Sequence, residues 1–430
     1  MNPSSSCALA IVEELCRHGV RDAVLAPGSR SAPLAHALAA ADEAGLLRLH
    51  VRVDERAAAF LALGLAKRSR RPVPVVTTSG TAVANLHPAA LEAHHAGVPL
   101  LLLTADRPVE LRGTGANQTT RQPGIFGPVT RWSGDVGVDA GPDPDAVWRT
   151  TVARAVVAAR GDLTDDPGPV HLDVPLRDPL VPDAPLLPTA GEPRVRIERQ
   201  VAPGPARTLV VVGDLPTSRH VDEAIAWASG NGWPVVRELG PPGPTGVAHG
   251  LSVLAGLGRP GGDARTDPQM AVPEPPDRVI LVGRATVSRA VGAVTRRPGT
   301  RVEAVTATPG WTDPAHVVTR VHPWSAIRRG ASPRADDPAW TASWVEAGRV
   351  TAQRHAAVLE AADEPTGPAV ARAVVAALPA GARLFVGSSN SARDLDLGVG
   401  EWPEDLDVVA SRGLAGIDGC VSTAVGLALA

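Results

Sequence analysis

Three short segments near the N-terminus combine turn-forming, hydroxyl and charged residues in a way that could build a ligand site. Residues 27–34 read PGSRSAPL, residues 52–56 read RVDER, and residues 77–85 read TTSGTAVAN. The first and third place Gly, Ser and Thr where a strand leads into a helix, an arrangement that caps the helix and favours anions. The second places the carboxyl group of Glu55 directly after a strand. Each segment alone would suit an ordinary capped turn or helix start, but together they predict one site.

A longer polar loop extends this candidate site. Residues 104–122, TADRPVELRGTGANQTTRQ, begin at a strand end that carries Arg107 and continue into a Gly-rich loop that presents Asn117 and Gln118. Lys67 is the only lysine of the chain, and it lies near the predicted end of a helix. A Schiff-base or pyridoxal enzyme would therefore have no suitable nucleophile. Cationic contacts must come from arginine, whose planar guanidinium group pairs well with carboxylates.

Alternating strands and helices must position these segments. Ser4, Ser5 and Ser6 are candidate N-terminal caps for a first helix, and Gly19 is its predicted end. The elements that follow alternate between short apolar strands and helices, which predicts a parallel sheet covered on both faces. The predicted strands of this first domain span 23–26, 46–53, 73–78, 98–106 and 169–175, and predicted helices span 54–68 and 82–96.

The rest of the chain repeats this plan. A Pro-rich linker, 181–206, separates the first domain, 1–180, from a second α/β domain at 207–335 and from part of a third at 336–430. Predicted strands lie within 207–216, 233–239, 278–285, 382–387 and 407–410, and irregular chain is expected at 240–277 and 330–338. A helix that begins at Cys420 is still apolar at Ala430. We therefore expect the third domain to be incomplete here, with about 100 further residues in a domain of usual size.

Composition excludes several classes of function. A net charge of -3 and a pI near 6.5 give no reason to expect binding to nucleic acid or to an anionic membrane. The three cysteines form no Cys-x-x-Cys pair and are expected to be buried thiols in a reducing compartment. The sequence lacks an export signal and an apolar run of the ~20 residues that span a bilayer. We expect a cytoplasmic protein that is neither exported nor embedded in a membrane.

In order and spacing, these motifs resemble the thiamine-diphosphate enzymes. The resemblance is strongest to the menaquinone-pathway carboligases that make succinyl-enolpyruvyl-hydroxycyclohexene-carboxylate from isochorismate and 2-oxoglutarate. It covers the whole chain, and RVDER, GTGANQT and SRGLAGIDG (residues 411–419) are its most specific parts. It implies an α/β architecture of three domains with parallel sheets flanked by helices. The first would bind the pyrimidine of the cofactor, and the third, incomplete here, would bind its diphosphate.

The resemblance also implies roles for individual residues. Glu55 matches the glutamate that hydrogen-bonds N1′ of the cofactor's aminopyrimidine, and such a glutamate must be held protonated by an apolar pocket. Arg393 and Arg412 match carboxylate anchors, and Ile417 matches the apolar wedge that bends the cofactor. The other implied substrate contacts are Arg30, Arg107, Asn117, Gln118, Arg289 and Ser389, and the implied cofactor contacts are Ser29, Glu55, Gly80, Ser389 and Ile417. Arginines suit this reaction because the decarboxylated 2-oxoglutarate and isochorismate both carry carboxylates.

Further implications concern the metal and the assembly. Mg²⁺, or Mn²⁺ in its place, would bind to residues beyond Ala430, with no metal ligand in this chain. The active assembly would be a homodimer or a dimer of dimers. Residues 1–430 alone would then neither bind thiamine diphosphate tightly nor turn over.

Two other functions stay open. Another thiamine-diphosphate enzyme, acetolactate-synthase-like or an oxoacid decarboxylase, would have little use for paired Arg393 and Arg412, because its substrate carries one carboxylate. A non-catalytic Rossmann-like binding protein would have the same turns without the chemistry. GLGRPG, residues 256–261, is not expected to bind a dinucleotide because neither a preceding strand nor a following helix is predicted. The histidines of the second predicted helix lack metal-ligand spacing; they are His87, His94 and His95.

Overall fold

The computed structural model describes residues 1–202, 207–257, 273–328, 337–403, 405–410, 412, 417 and 420–429. They form two units. Unit 1 comprises residues 1–196 with 308–310, and unit 2 comprises the described residues of 197–307 and 311–430. Several predictions fall partly outside the described residues: the end of the linker, residues 258–272 and 330–336 of the two irregular stretches, the last four residues of GLGRPG, and SRGLAGIDG except Arg412 and Ile417. The predicted domain boundaries at 180, 206 and 335 stay predictions.

Unit 1 alternates strands and helices as expected. Its strands are β1 Asp22–Leu25, β2 Arg48–Val51, β3 Val73–Thr77, β4 Leu100–Asp106, β5 Trp132–Asp135 and β6 Val170–Pro175. Its helices are α1 Pro3–Arg17, α2 Ala32–Glu43, α3 Glu55–Ser69, α4 Thr81–Ala84, α5 His87–Ala96 and α6 Pro144–Arg160. The strands form one sheet in the order β2-β1-β3-β4-β6-β5, and every neighbouring pair is parallel. The predicted parallel α/β fold is confirmed.

Two apolar clusters cover the two faces of this sheet. Helices α1, α2 and α6 pack on one face, where Leu101 and Leu103 of β4 join their buried side chains. Helices α3 and α5 pack on the other face with Leu100 and Leu102. Because successive strand residues point to opposite faces, a strand covered on both sides must be apolar throughout. This requirement explains the unbroken LLLL run of β4.

Two local predictions in unit 1 need correction. The serines do not cap α1; Asn2 does, and its side chain accepts a hydrogen bond from Ser5 N at 2.9 Å. Pro3 sets the first helical position, so the cap falls one residue earlier than the serines. The pattern also does not predict β5, because WSGD is a short edge strand with polar residues and a glycine.

Unit 2 contains two further sheets. Its strands are β7 Arg196–Ile197, β8 Thr208–Val212, β9 Val235–Arg237, β10 Arg278–Val282, β11 Arg301–Thr306, β12 Val318–Pro323, β13 Arg383–Val386 and β14 Asp407–Ala410. Its helices are α7 Ser218–Gly230, α8 Gly250–Leu257, α9 Arg289–Thr295, α10 Ser325–Arg328, α11 Pro338–Glu360, α12 Gly367–Ala376, α13 Ser391–Gly398 and α14 Cys420–Leu429. One sheet has the order β7-β12-β11-β10-β8-β9, and the other pairs β13 with β14.

Unit 2 confirms the predicted strands within the second and third domains but adds elements. Helix α8 lies inside the stretch expected to be irregular. The apolar pattern also misses β11 and β12, because β11 carries the buried carboxylate of Glu303, which lies 3.2 Å from His322 Nε2 of β12. Such a buried polar pair interrupts the hydrophobic alternation on which the prediction depends. None of the described helices is long and apolar enough to cross a membrane.

Candidate functional site

The strand order of unit 1 creates a crevice at the carboxyl edge of its sheet. Strand β1 lies between β2 and β3, so the chain leaves β1 toward one side and later returns to its other side. In open parallel sheets, ligands bind at such a switch point. The turns after β1 and β3 meet here, since a Cβ atom on Gly28 would lie only 2.3 Å from Thr78 Cβ. Only glycine lets these two backbones approach so closely.

The long polar loop lies against the turn that follows β3. Gln118 Nε2 donates to Ser79 O at 2.9 Å, and Ser79 Oγ donates to Gln118 O at 3.0 Å. Gly80 has φ +86°, and a Cβ atom there would lie 2.9 Å from Gln118 Cγ. Gln118 itself has φ 57°, in the left-handed region. The structure thus brings together two predicted site residues, Gly80 and Gln118, and both Gln118 and the neighbouring Asn117 are exposed.

Two predicted arginines lie at the same sheet edge with unsatisfied donors. Arg30 is buried, and its Nη1 donates to Leu176 O at 2.9 Å. Burial lowers the pKa of Arg30 and the positive charge of Arg107 lowers it further, while Asp178, whose Oδ2 lies 3.8 Å from Arg30 Nη1, partly offsets these effects. The Nε atoms of both arginines are buried, and neither has a hydrogen-bond partner among the described residues. An anionic oxygen would satisfy these donors and relieve the repulsion.

Glu55 is the first residue of α3, beyond the carboxyl end of β2. Asp54 caps this helix by accepting a hydrogen bond from Ala57 N at 2.7 Å. Glu55 is half-buried, and the described residues provide no hydrogen-bond partner for its carboxyl group. Its neighbours Val53 and Phe60 are 87% and 43% exposed. Unit 1 therefore places this carboxyl group at the predicted edge but does not enclose it in an apolar pocket.

The remaining unit 1 prediction, Ser29, is an exposed residue of the turn after β1, and its carbonyl oxygen accepts a hydrogen bond from Ala32 N at 3.1 Å. That bond supports the start of α2. The side chain of Ser31, rather than that of Ser29, is buried, and it donates to Gly28 O at 3.0 Å. Ser29 is thus free to face a ligand.

The predicted residues of unit 2 lie in different settings. Arg412 is buried, and its Nη2 donates to Thr286 O and Oγ1 at 2.8 and 2.9 Å. It lines a cavity of about 260 Å³ that also contacts Glu238, a carboxyl group whose pKa is raised to about 7 by burial. In contrast, four other predicted residues are exposed: Arg289, Ser389, Arg393 and Ile417. Arg393 Nη1 donates a hydrogen bond to Asn390 Oδ1 at 3.4 Å.

A buried polar network in unit 1 was missed by the sequence patterns. Gln122 and Asp173 are fully buried and hydrogen-bonded to each other, at 2.8 Å between Gln122 Nε2 and Asp173 Oδ1. Thr104 Oγ1 also donates to Asp173 Oδ1, at 2.7 Å, and lies 2.8 Å from His171 Nε2. Burial lowers the pKa of His171 to about 4, so its ring is neutral. The available signal was the occurrence of His and Asp inside the otherwise apolar strand β6, since such groups are buried only with partners.

Arg112 completes this network. Its guanidinium group donates to Asp106 Oδ2 at 2.9 Å, to Asp135 Oδ2 at 2.7 Å and to Asp173 Oδ2 at 2.9 Å. Burial and the negative charge of Asp106 raise the pKa of Asp173 to about 7. Burial lowers the pKa of Arg112, but hydrogen bonds and negative charge from Asp135 and Asp106 outweigh it and hold that pKa above its usual range. No cluster of three or more metal-binding side chains occurs in the part of the chain that the structure describes.

Comparison with known proteins decides the family. Residues 6–125 match the family described as thiamine pyrophosphate enzyme, N-terminal TPP binding domain. A protein of Saccharopolyspora erythraea named 2-succinyl-5-enolpyruvyl-6-hydroxy-3-cyclohexene-1-carboxylate synthase is 46% identical over 449 residues, which cover 100% of this chain and 77% of that protein. Proteins of the same name from Kineococcus radiotolerans and Mycobacterium leprae are 45% and 42% identical, each over 441 residues covering 100% of this chain and 77% and 75% of theirs.

The chain belongs to the 2-succinyl-5-enolpyruvyl-6-hydroxy-3-cyclohexene-1-carboxylate synthase family. This family consists of thiamine-diphosphate-dependent transferases of menaquinone biosynthesis that form a carbon–carbon bond. The predicted resemblance and cofactor are confirmed. The residues of unit 1 fit this cofactor, because among the described residues the carboxyl group of Glu55 has no other partner and the Nε atoms of Arg30 and Arg107 have no acceptor.

Proposed function

We propose that the assembled enzyme to which this chain contributes decarboxylates 2-oxoglutarate and adds the resulting fragment to isochorismate, giving 2-succinyl-5-enolpyruvyl-6-hydroxy-3-cyclohexene-1-carboxylate and CO2. The observation that carries the substrate assignment is the pair Arg30 and Arg107, two neighbouring arginines whose buried Nε atoms have no acceptor in the part of the chain that the structure describes. Both substrates are carboxylic acids, and guanidinium groups bind carboxylates with charge-assisted hydrogen bonds. The names of the relatives support the same reaction.

Thiamine diphosphate, when bound, supplies the electron sink for decarboxylation. Glu55 would hold a proton for N1′ of its aminopyrimidine, with Ser29 and Gly80 lining the site. Asn117 and Gln118 would orient the polar groups of a substrate, while Arg30 and Arg107 bind a carboxylate. The proposed contacts from unit 2 are the substrate contacts Arg289, Ser389, Arg393 and Arg412, with Ser389 and Ile417 also meeting the cofactor. A divalent cation, Mg²⁺ or Mn²⁺, would neutralise the diphosphate.

We also propose that the active form is a cytoplasmic homodimer or a dimer of dimers. Val51, Val53 and Phe60 flank Glu55 in sequence and are 50%, 87% and 43% exposed, and Leu91 of the adjacent helix α5 is 40% exposed. A second copy of the chain covering these side chains would supply the apolar surroundings that keep a glutamate protonated. A two-fold symmetric assembly would then contain two equivalent sites.

The test is the variant Glu55→Gln, with Glu43→Gln as the matched control. Glu43 is an exposed glutamate at the end of α2, so its substitution makes the same chemical change away from the site. Loss of a positioned proton donor should lower kcat for the carboligation at least 100-fold, or about 2.7 kcal/mol, with little change in the Kd for thiamine diphosphate. The control should match the wild type.

The same assay tests the substrates. Replacing 2-oxoglutarate with pyruvate should lower kcat/KM at least 100-fold, because pyruvate leaves one carboxylate contact unmade. Turnover of Glu55→Gln within threefold of the wild type would contradict the role of Glu55. A preference for pyruvate would instead indicate an acetolactate-synthase-like enzyme.

A further inference from the structure

The side chain of Gln122 links three separate parts of unit 1. Its Oε1 accepts a hydrogen bond from Gly80 N at 2.9 Å. Its Nε2 donates to Ala105 O at 3.1 Å and to Asp173 Oδ1 at 2.8 Å. The side chain is fully buried, so water does not replace these bonds. One amide thereby connects the turn after β3 with the carboxyl ends of β4 and β6.

The turn held by Gln122 is the turn that holds Gln118. Gly80 N, fixed by Gln122, follows Ser79, which exchanges two hydrogen bonds with Gln118. Gln118 keeps a left-handed backbone at φ 57°, a conformation that costs free energy for a residue other than glycine. Gln122 lies four positions beyond Gln118, so it closes the end of the same loop. The conformation of two proposed ligand contacts, Gly80 and Gln118, thus depends on a fully buried residue.

Packing alone does not explain this choice of residues. Gln122 is anchored to Asp173, and Asp106 is buried beside it, so two carboxylates are taken out of water near one guanidinium group of Arg112. Apolar residues of similar volume often stabilise a fold as well as buried ionic groups or better. What the ionic groups add is direction, because each hydrogen bond fixes one donor against one acceptor. The network therefore defines the position of the turn rather than only filling space.

We propose that Gln122 is a positioning residue for this family's reaction, setting the Ser79–Gly80 turn and Gln118 by tying them to Asp173. The role rests on the proposed function insofar as Gly80 and Gln118 meet cofactor and substrate. Gln122 itself contacts neither. Asp173 accepts the hydrogen bond that holds Gln122 in place. In this pair an amide donates to a carboxylate, and a double variant can reverse that direction.

The central variant is Gln122→Glu. It keeps the shape but places a carboxylate oxygen where Gln122 Nε2 donates to Asp173, and two ionised carboxylates at that distance repel each other strongly. At pH 8 the turn should be displaced, whereas at pH 6 a proton shared between the two groups should restore the contact. The groups facing Asp173 are Asp106 and Arg112 from the β4 end and its following loop, Asp135 from β5, and neutral His171 from β6 itself.

Three further variants complete the set. The double variant Gln122→Glu/Asp173→Asn inverts the pair, because the new amide at position 173 donates to the new carboxylate while its oxygen still accepts from Arg112. Gln122→Met removes all three hydrogen bonds without adding charge, so its effect should be the same at both pH values. Gln353→Glu, on an exposed position of α11, is the control for the added charge.

The first readout is amide hydrogen exchange of the peptide covering residues 78–85, measured on the 430-residue chain. At pH 8, the Gly80 amide should exchange at least tenfold faster in Gln122→Glu than in the wild type. In the inverted double variant its exchange rate should return most of the way to the wild-type value. Recovery should be incomplete because Ala105 O loses its donor in the double variant. This readout does not require turnover, so it tests the positioning role even if the proposed substrates are wrong.

The second readout is kinetic, on the thiamine-diphosphate-loaded enzyme. Gln122→Glu should raise the KM for 2-oxoglutarate at least tenfold at pH 8 and less than threefold at pH 6. The proposal is overturned if the peptide 78–85 exchanges as in the wild type, if the double variant is no better than Gln122→Glu, or if β3 and β4 exchange faster to the same extent as the turn. The last result would show general loosening of unit 1.

Discussion

Arg112 should be the most stability-sensitive cation of unit 1. The side chains of Asp106 and Asp173 are 0% exposed and that of Arg112 is 21% exposed, with contacts of 2.8 and 2.9 Å between them. Replacing Arg112 with Met would leave two buried carboxylates without their neutralising partner. Removing one member of a buried ion pair costs about 3–5 kcal/mol. For a unit of this size, a loss of 1 kcal/mol lowers the Tm by about 2–4 °C, so a decrease of roughly 6–20 °C is expected.

Arg177 provides the matched control. It also joins two carboxylates, Glu110 at 3.0 Å and Asp139 at 2.7 Å, but their side chains are 55% and 75% exposed. Each exposed pair contributes about 0–1 kcal/mol, so losing both in Arg177→Met should cost at most about 2 kcal/mol and lower the Tm by no more than about 8 °C. The two variants therefore remove the same kind of bridge and differ mainly in the burial of its partners.

Differential scanning calorimetry at pH 6 and pH 8 measures how much of the Tm decrease in Arg112→Met comes from the charge of Asp173. Because burial and Asp106 raise the pKa of Asp173 to about 7, Asp173 takes up a proton at pH 6 and the damage from Arg112→Met should be smaller there. The reasoning is refuted if Arg112→Met lowers the Tm no more than Arg177→Met at pH 8, or if its effect is larger at pH 6 than at pH 8.

Two further predictions concern the same unit. The pKa of Asp173, about 7, lies above the value of roughly 4 for an unfolded aspartate, so this group destabilises the fold progressively as the pH rises across that interval. The difference in Tm between Asp173→Asn and the wild type should therefore increase from pH 4 to pH 7 and stay constant above pH 7. A difference in Tm that does not change with pH would contradict this. Gly28→Ala should destabilise the protein by about 1–3 kcal/mol because the new Cβ atom would lie 2.3 Å from Thr78 Cβ. Gly64→Ala is the control, because a Cβ atom there, in the middle of α3, meets nothing within 4 Å. This variant should be neutral or stabilising when both are measured by urea titration. Equal losses of unfolding free energy in the two variants would show that the close approach of the turns is unimportant.

The local pattern of the sequence determined the elements of unit 1 and the motifs that end them. Apolar runs such as LLLL predict a strand covered on both faces, because side chains alternate between the faces of a strand. The turns PGSRS and TTSGT follow from glycine and capping residues, whose preferences depend on the backbone within a few residues. Such signals are weaker where polar residues enter a strand, which is why β5, β11 and β12 were missed. The family, the cofactor and the fold class could all be predicted from these local features.

Tertiary structure alone decided how these features meet. The order β2-β1-β3 places the PGSRS and TTSGT turns in contact, and no local pattern specifies which strand lies beside β1. The bond from Gln122 to Asp173 joins residues 51 positions apart, and that from Arg30 to Leu176 joins residues 146 positions apart. Sequence alone could name Arg30 as a cation but not show that no described residue accepts a hydrogen bond from its Nε. Such a bond depends on every group that folding brings within hydrogen-bonding distance. Propensity acts over neighbouring residues, whereas burial, pairing and pKa shifts arise only when distant segments exclude water together.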